Sequence, residues 1–245
     1  MILTATDFGI EGPYMGQLRA ACLTAAPETP VVDLCLDLPA FHPRHAAYLL
    51  AAWTPPLNPA DVLLGIVDPG VGGPRNAIIA RLESGGYCVG PDNGLFGILA
   101  RQRGDAEWWR IDWRPQRLSA SFHGRDLFAP VAAALAQGAS PDSLATPATP
   151  VNIQDWPDDL DQVLYIDRYG NAMTGRRAQT LATKTQLRIG ETAIPHARTF
   201  SEARPGQAFW YENSSGLVEI AAREASAARL FNLSPGMGVR CNSRR

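Results

Sequence analysis

The chain has 245 residues, 46% of them hydrophobic and 19% charged, with a formal net charge of −2. That is ordinary globular composition, long enough for one large domain or two ordinary ones. The near-neutral balance excludes bulk attraction to nucleic acid or to an anionic membrane, and no apolar run approaches the roughly 18 residues of a membrane-spanning helix. The cysteines Cys22, Cys35, Cys88 and Cys241 are scattered, with no Cys-x-x-Cys pair. They are expected to be small core residues in a reducing cytoplasm, with no metal site and no disulfide frame.

The first residues, Met1 to Asp7, have no basic leader pattern and are predicted to be a strand running to about Thr6. An acid, Asp7, follows it, and then Phe8-Gly9. Met15, Leu18, Cys22 and Leu23 recur at threes and fours, which predicts a helix from Tyr14 to about Ala26, stopped by Pro27 and Pro30. Val31 to Leu36 is a short apolar run predicted as a strand, and His45 to Trp53 has helical spacing before Pro55-Pro56. Val62 to Val67 is an uninterrupted apolar run, read as a buried strand that delivers Asp68 to its C-terminal edge. Strands are then expected over Asn76 to Leu82, Gly86 to Val89 and Trp108 to Asp112, with a turn at Asn93-Gly94 and a short helix over Leu95 to Arg101. Phe122-His123-Gly124-Arg125-Asp126 opens a helix predicted from about Leu127 to Gln137, where Asp126 suits the positive end of the dipole. The alternation of strand and helix argues for a mostly parallel, Rossmann-like sheet with helices on its faces.

From Gly138 to Asp161 the composition changes: Pro141, Pro147, Pro150 and Pro157 fall among Ser, Thr, Asp and Ala. This predicts a linker or a crossing segment, with a domain boundary near 145–160, an N-terminal α/β domain over 1–150 and a C-terminal domain over 160–245. Beyond it, Gln162 to Asp167, Gln186 to Ile189, Ala208 to Glu212, Leu217 to Ala222 and Gly238 to Cys241 read as short strands of a small β-barrel or sandwich. Asn213-Ser214-Ser215-Gly216 reads first as a hairpin turn.

The stretch Val67 to Arg75, Val-Asp-Pro-Gly-Val-Gly-Gly-Pro-Arg, combines a carboxylate at a strand end, a glycine-rich loop and an arginine seven residues on. Ligands of open α/β sheets bind outside the carboxyl ends of the strands. The plain alternative is a tight loop closed by a structural Asp–Arg pair. His123, flanked by Gly, Arg and Asp at a helix mouth, is the most promising of the four histidines. A nicotinamide dehydrogenase is excluded, because no Gly-x-Gly-x-x-Gly follows the first strand.

Thr6-Asp7-Phe8-Gly9, Val67 to Arg75, Gly90 to Gly94, Phe122 to Asp126, Asp167 to Asn171 and Asn213 to Ala221 occur together and in order. As a set, the chain resembles the S-adenosyl-L-methionine hydroxide adenosyltransferase family, relatives of the bacterial fluorinase and chlorinase. The resemblance implies an N-terminal α/β domain, a barrel-like C-terminal domain and a homotrimer with sites between subunits. It implies hydrolysis of a small-molecule substrate, S-adenosyl-L-methionine, to adenosine and methionine with no cofactor, no nucleic acid partner and no membrane. Asp68, Arg75 and His123 match the family's hydrolytic residues. Asp7 matches the acid on the ribose hydroxyls, Asp167 the acid on the methionine ammonium, and Asn171 and Ser214 polar contacts to adenine and to the methionine carboxylate. Tyr169 and Phe200 match the aromatics that sandwich adenine, and Phe122 forms an apolar wall by C5′. Halide-using members carry a Tyr where Asp68 stands, and the fluorinase has a small hydroxyl residue at the position of Gly124, so both positions favour water. The chain departs from the family in lacking a His near Leu36, an Asn at Arg223 and the fluorinase's Arg at Ser215, which bears mainly on the amino-acid tail. A non-catalytic sensor of S-adenosylmethionine or adenosine and a halide-dependent transferase are the competing expectations.

Overall fold

The computed structural model describes residues 1–242, which divide into two compact units, Met1–Gln154 and a second from Asp155 onward. In the first unit, strand β1 (Ile2–Thr6) leads through helix α1 (Tyr14–Ala25) to β2 (Val31–Cys35). Helix α2 (Pro43–Trp53) then returns the chain to β3 (Val62–Ile66). Strands β4 (Ala77–Leu82) and β5 (Tyr87–Pro91), helix α3 (Gly97–Gln102), β6 (Ala106–Ile111), helix α4 (Ala129–Ala136) and β7 (Ala145–Pro147) follow.

These seven strands form one sheet in the order β2-β1-β3-β5-β4-β6-β7. β1 pairs in parallel with β2 and β3, and β3 with β5, while β4 is antiparallel to β5 and β6, and β7 antiparallel to β6. Five strands therefore share one direction, and β4 and β7 oppose it. Every residue of β1 and β3 is buried, as the unbroken apolar runs require of strands covered on both faces. Alternation divides β3 between two cores. Val62, Leu64 and Ile66 join α1 and α4 in one cluster, whereas Gly65 points the other way onto Phe96 just before α3. The first crossover from β1 leads to β2 on one side, and the next returns to β3 on the other. The gap between β1 and β3 is thus a topological switch point.

Two expectations from the sequence need correction here. The 138–161 stretch is not linker throughout. It holds a 3₁₀ turn at Pro141–Ser143 and then β7, which extends the sheet by pairing with β6. Pro147 is tolerated there because β7 is an edge strand. The helix after His123 also starts differently, with a π turn at Gly124–Phe128 that takes Asp126 into it before α4 begins.

In the second unit, β8 (Leu160–Ile166), β9 (Ala172–Arg177), β12 (Ala208–Glu212) and β13 (Leu217–Ala222) form an antiparallel sheet in the order β12-β13-β9-β8. A second sheet has the order β11-β10-β14, from β10 (Gln186–Ile189), β11 (Thr192–Ile194) and β14 (Arg240–Asn242). Helix α5 (Ala227–Phe231) follows β13, with the Ser226 side chain accepting from the Arg229 amide as its cap. Both sheets share a core that includes Val163, Leu187, Ile189, Trp210, Val218 and Ile220. Of the two alternatives, barrel or sandwich, the second describes this unit: among the described residues the two sheets do not close into a barrel. Only single bridges, Gln162 to Gly238 and His196 to Trp210, tie their edges. No helix among the described residues is long and apolar enough to cross a membrane.

Gly90 in β5 is the tightest point of the central sheet. A Cβ there would lie 2.2 Å from the Gly65 carbonyl oxygen, which belongs to a paired backbone and cannot swing aside. Gly90→Ala is expected to cost about 1–3 kcal/mol, the usual penalty for overpacking, read as a lower urea midpoint. A loss below about 0.5 kcal/mol, the ordinary range for a neutral surface change, would show that the sheet relaxes there.

Candidate active site

Two of the acids picked out by the sequence stand at the switch point. Thr6 at the end of β1 is in register with Ile66 at the end of β3, and the Asp7 amide donates to the Ile66 carbonyl at 3.2 Å. Asp7 and Asp68 consequently leave neighbouring strand ends at the same edge. The loop after Asp68 then turns back sharply. Gly72 has φ +75°, and a Cβ on it would lie 2.4 Å from the Ala120 carbonyl oxygen. Only glycine allows this loop to lie against residue 120, three residues before His123. Asn93, in the Asn-Gly turn after β5, donates from Nδ2 to the Val67 carbonyl at 2.8 Å and steadies the loop at its start.

Arg75 is the centre of the resulting cluster. Its Nε donates to Asp68 Oδ1 at 2.8 Å, and its Nη2 donates to Asp68 Oδ2, a two-pronged pair with little exposure on either side chain. The same Nη2 lies 3.1 Å from His123 Nδ1. A guanidinium has no acceptor, so Nδ1 must accept, and the neutral imidazole then carries its hydrogen on Nε2. The Arg75 guanidinium also lies over the Phe128 ring, 5.1 Å from its centroid.

Asp7, Asp68, Phe122 and His123 line one cavity of 670 Å³. Its apolar side is a cluster of Phe8, Tyr14 and Phe122, whose ring centroids lie 5.6–6.0 Å apart. Phe122 is fixed from behind by Arg125, which lies 5.0 Å over its ring and pairs with Asp126; Asp126 in turn accepts from the Ser119 amide at 2.9 Å. Burial raises Asp7 above the usual carboxylate range, opposed by amide donors that include that of Phe41 and reinforced by the Asp68 charge. His123 moves the opposite way. Burial and then the positive charge of Arg75 lower its pKa, so the neutral ring is favoured at neutral pH.

The other five residues singled out in the sequence gather in the second unit. Asp167, Tyr169, Asn171, Phe200 and Ser214 line an open groove of 1090 Å³. Asp167 Oδ1 accepts from the amides of Tyr169 and Asn171, both at 2.9 Å, and Oδ2 accepts from Asn171 Nδ2 at 2.9 Å. Tyr169 is left strongly exposed at the tip of that turn, while Phe200 packs edge-on to Phe209 and Tyr211. The Asn213–Gly216 segment is the hairpin turn between β12 and β13. Asn213 Oδ1 accepts from the Ser215 and Leu217 amides, both at 3.0 Å. Glu219, Tyr211 and Asn213 also line this groove, and sequence reasoning passed over them. The signal for Glu219 was available: it is the one charged residue in the apolar run Leu217 to Ala222. Phe8 and Tyr14 left no such signal, being ordinary aromatics at a loop and a helix start.

Among the described residues, no group of three or more His, Cys, Asp or Glu side chains is placed to hold a metal ion. The four cysteines are free thiols.

Residues 2–145 match the SAM hydroxide adenosyltransferase N-terminal domain, and residues 161–240 match the C-terminal domain of the same name. The chain is 38% identical over 251 residues to a (R)-S-adenosyl-L-methionine hydrolase of Salinispora arenicola, covering 96% of this chain and 95% of the relative. It is 37% identical over 255 residues to the protein of that name from Thermus thermophilus, covering 96% of each. A fluorinase of Actinopolyspora mzabensis is more distant, at 26% over 287 residues, 98% of this chain and 96% of the relative. Among solved structures, an uncharacterized conserved protein from Thermotoga maritima superposes with a TM-score of 0.90 at 26% identity, covering 99% of this chain and all of the other. A conserved hypothetical protein from Thermus thermophilus gives 0.79 at 35% identity, covering 98% and 99%.

The His123 arrangement has a measurable consequence. A histidine whose folded pKa lies below its unfolded value contributes stability that is complete above about pH 6.5 and is lost as pH falls toward the folded value. By NMR, the His123 ring is expected to titrate below about 6.5, its unperturbed value. In Arg75→Met the midpoint should rise, because a lowering charge is removed while the raising charge of Asp68 stays. A midpoint that does not move on this substitution would contradict the Arg75–His123 contact.

Proposed function

The chain belongs to the SAM hydroxide adenosyltransferase family, and from that premise we propose that it hydrolyses S-adenosyl-L-methionine to adenosine and L-methionine. The observation that carries this reading is the Arg75 fork, which holds a carboxylate and a neutral imidazole beside Asp7 in one cavity. A module that only binds its ligand has no use for such a group. The shared name of the curated relatives adds a stereochemical preference, the R configuration at sulfur, which we extend to this chain.

In the proposed reaction, water attacks ribose C5′ in line with the C–S bond. The carbon–oxygen bond forms as the carbon–sulfur bond breaks, and its electron pair neutralises the sulfonium to the thioether of methionine. The leaving group is already cationic, so no acid has to protonate it. Positioning the water can supply about 7–11 kcal/mol of the barrier reduction in well-aligned cases. His123, with Nδ1 occupied by Arg75, donates from Nε2–H to the water oxygen. Asp68 accepts the water proton on a lone pair that Arg75 leaves free and later releases it to solvent. Asp7 accepts hydrogen bonds from the ribose 2′ and 3′ hydroxyls, and the Phe8, Tyr14 and Phe122 cluster keeps bulk water from C5′. Tyr169 and Phe200 stack on adenine and Asn171 contacts its edge, while Asp167 and Ser214 take the ammonium and carboxylate of the methionine arm. No step of this reaction draws on a cofactor.

Halide transfer is disfavoured on two counts. An unpaired carboxylate about 4 Å from an incoming anion costs about 4 kcal/mol at an effective dielectric constant of ~20; Arg75 offsets part of that for Asp68, whereas neutral water meets no such repulsion. Gly124 also presents no hydroxyl to a halide, and a side chain there would be tight, with its Cβ meeting Ile66 Cδ1 at 3.0 Å and Phe122 at 3.3 Å.

We further propose a homotrimer in the cytoplasm, with each site completed between subunits. The family resemblance supports the first point and the free thiols support the second. Sedimentation at micromolar concentration is expected to give a mass near three times the 26.4 kDa chain. A 26.4 kDa species would remove the shared-site reading.

The deciding test is a chromatographic time course in chloride-free buffer with each sulfonium epimer of S-adenosylmethionine. Adenosine and methionine should form together and faster from the R epimer, and Asp68→Ala should lower kcat by at least about 10²-fold, the scale of a lost general base. No adenosine from either epimer, with or without halide, would overturn the hydrolase.

A further inference from the structure

Glu219 sits in the middle of β13 with 2% of its surface exposed, and it lines the groove of the second unit. Its Oε1 accepts from the Tyr211 hydroxyl at 2.6 Å and its Oε2 from Asn213 Nδ2 at 2.8 Å. Both partners are neutral. Among the described residues no cation pairs with it, although Arg168 and Arg229 line the same groove, as does Glu224. Buried carboxylates are ordinarily paired with a positive group, because desolvating the charge is costly.

Its acceptor capacity makes the same point. A carboxylate offers about four lone-pair sites. Asp167 has committed three of them to its own loop, through the amides of Tyr169 and Asn171 and the Asn171 side chain. An alkylammonium brings three N–H donors, more than Asp167 can still take. Glu219 has spent two sites on neutral donors and keeps two.

We propose that Glu219 is a specificity-determining residue that recognises the ammonium group of the methionine arm, completing with its charge and spare lone pairs what Asp167 leaves unsatisfied. This rests on S-adenosylmethionine being the substrate. Tyr211 and Asn213 hold the carboxylate in place. Tyr211 also packs on Phe200, and Asn213 shapes the turn that carries Ser214. Charge recognition is therefore coupled to the aromatic and polar walls of one groove.

The test compares wild type with Glu219→Gln, which keeps shape and one acceptor oxygen but removes the charge. Wild-type turnover of S-adenosylmethionine comes first: if wild type neither hydrolyses nor binds it, the substrate reading fails and this inference with it. Given turnover, Glu219→Gln should raise KM for S-adenosylmethionine at least tenfold with kcat within threefold. It should weaken S-adenosylhomocysteine binding equally, since that ligand has the ammonium but no sulfonium. It should leave adenosine affinity within twofold. Equal weakening of all three ligands would reveal a merely structural role, and a loss confined to S-adenosylmethionine would put the effect at the sulfonium; either result overturns the assignment. Tyr211→Phe keeps the ring and the negative charge but releases the carboxylate oxygen that the hydroxyl holds, so it should weaken S-adenosylmethionine and S-adenosylhomocysteine together and leave adenosine affinity within twofold. Equal weakening of adenosine in that variant would overturn the inference even if Glu219→Gln does not fold.

Discussion

Arg75 has to satisfy two acceptors of different charge at once, the Asp68 carboxylate and the neutral Nδ1 of His123. A guanidinium can do so because its donors lie in one rigid plane; a lysine ammonium could not reproduce the fork. The pair with Asp68 is largely buried, and removing one member of a buried pair typically costs about 3–5 kcal/mol. That dependence runs outward. The Asp68–Arg75 separation in sequence sets the loop length, the loop needs Gly72 against the Ala120 backbone, and that contact brings the segment before His123 within reach. The Phe128 ring closes the arrangement from the far side of Arg75.

Seen from the sheet, the same site follows from strand order. Two parallel strands that diverge to opposite sides open a crevice at their carboxyl ends. Acids just beyond the two strand ends can face that crevice, and Asp7, one residue past β1, and Asp68, two residues past β3, both line it. Burial, with the nearby Asp68 charge adding to it, raises Asp7 above its ordinary value. The cavity therefore combines a carboxylate that burial pushes toward neutrality with another that is forked by Arg75, a division set by partners and not by residue type.

Most of this was legible in the chain because its local and tertiary preferences agree. β1 and β3 are buried on both faces and read as unbroken apolar runs; the Asp68–Arg75 spacing and the Phe-His-Gly-Arg-Asp stretch mark the cluster directly. The losses occurred where tertiary pairing outweighs local pattern. β9, Ala-Met-Thr-Gly-Arg-Arg, looks like a polar loop, yet it lies between β13 and β8 and is held by Arg176 with Asp161 and Arg177 with Asp159. β7 is three residues including a proline and exists because β6 offers an open edge. The π turn after His123 has no period in the sequence at all. Glu219 was the opposite case: its signal, one acid in an apolar run, was visible, but only its burial in the structure singles it out.

The two units carry negative charge in chemically different settings. In the first, the carboxylate of Asp68 is matched by Arg75, so the proposed water site is close to neutral and polar, as an uncharged nucleophile requires. In the second, Glu219 is matched by a hydroxyl and an amide and pairs with no cation among the described residues, although Arg168 and Arg229 line the same groove. A cationic ligand supplies there what the protein omits, and a neutral product does not. Hydrolysis of a sulfonium removes one positive charge from the adenosyl fragment and, on separation, carries the ammonium away from it. Adenosine thus loses the electrostatic part of its hold as soon as the C–S bond breaks and methionine leaves. In the proposed reaction, binding energy directed at charge favours the substrate over the larger product, which opposes product inhibition without any conformational change.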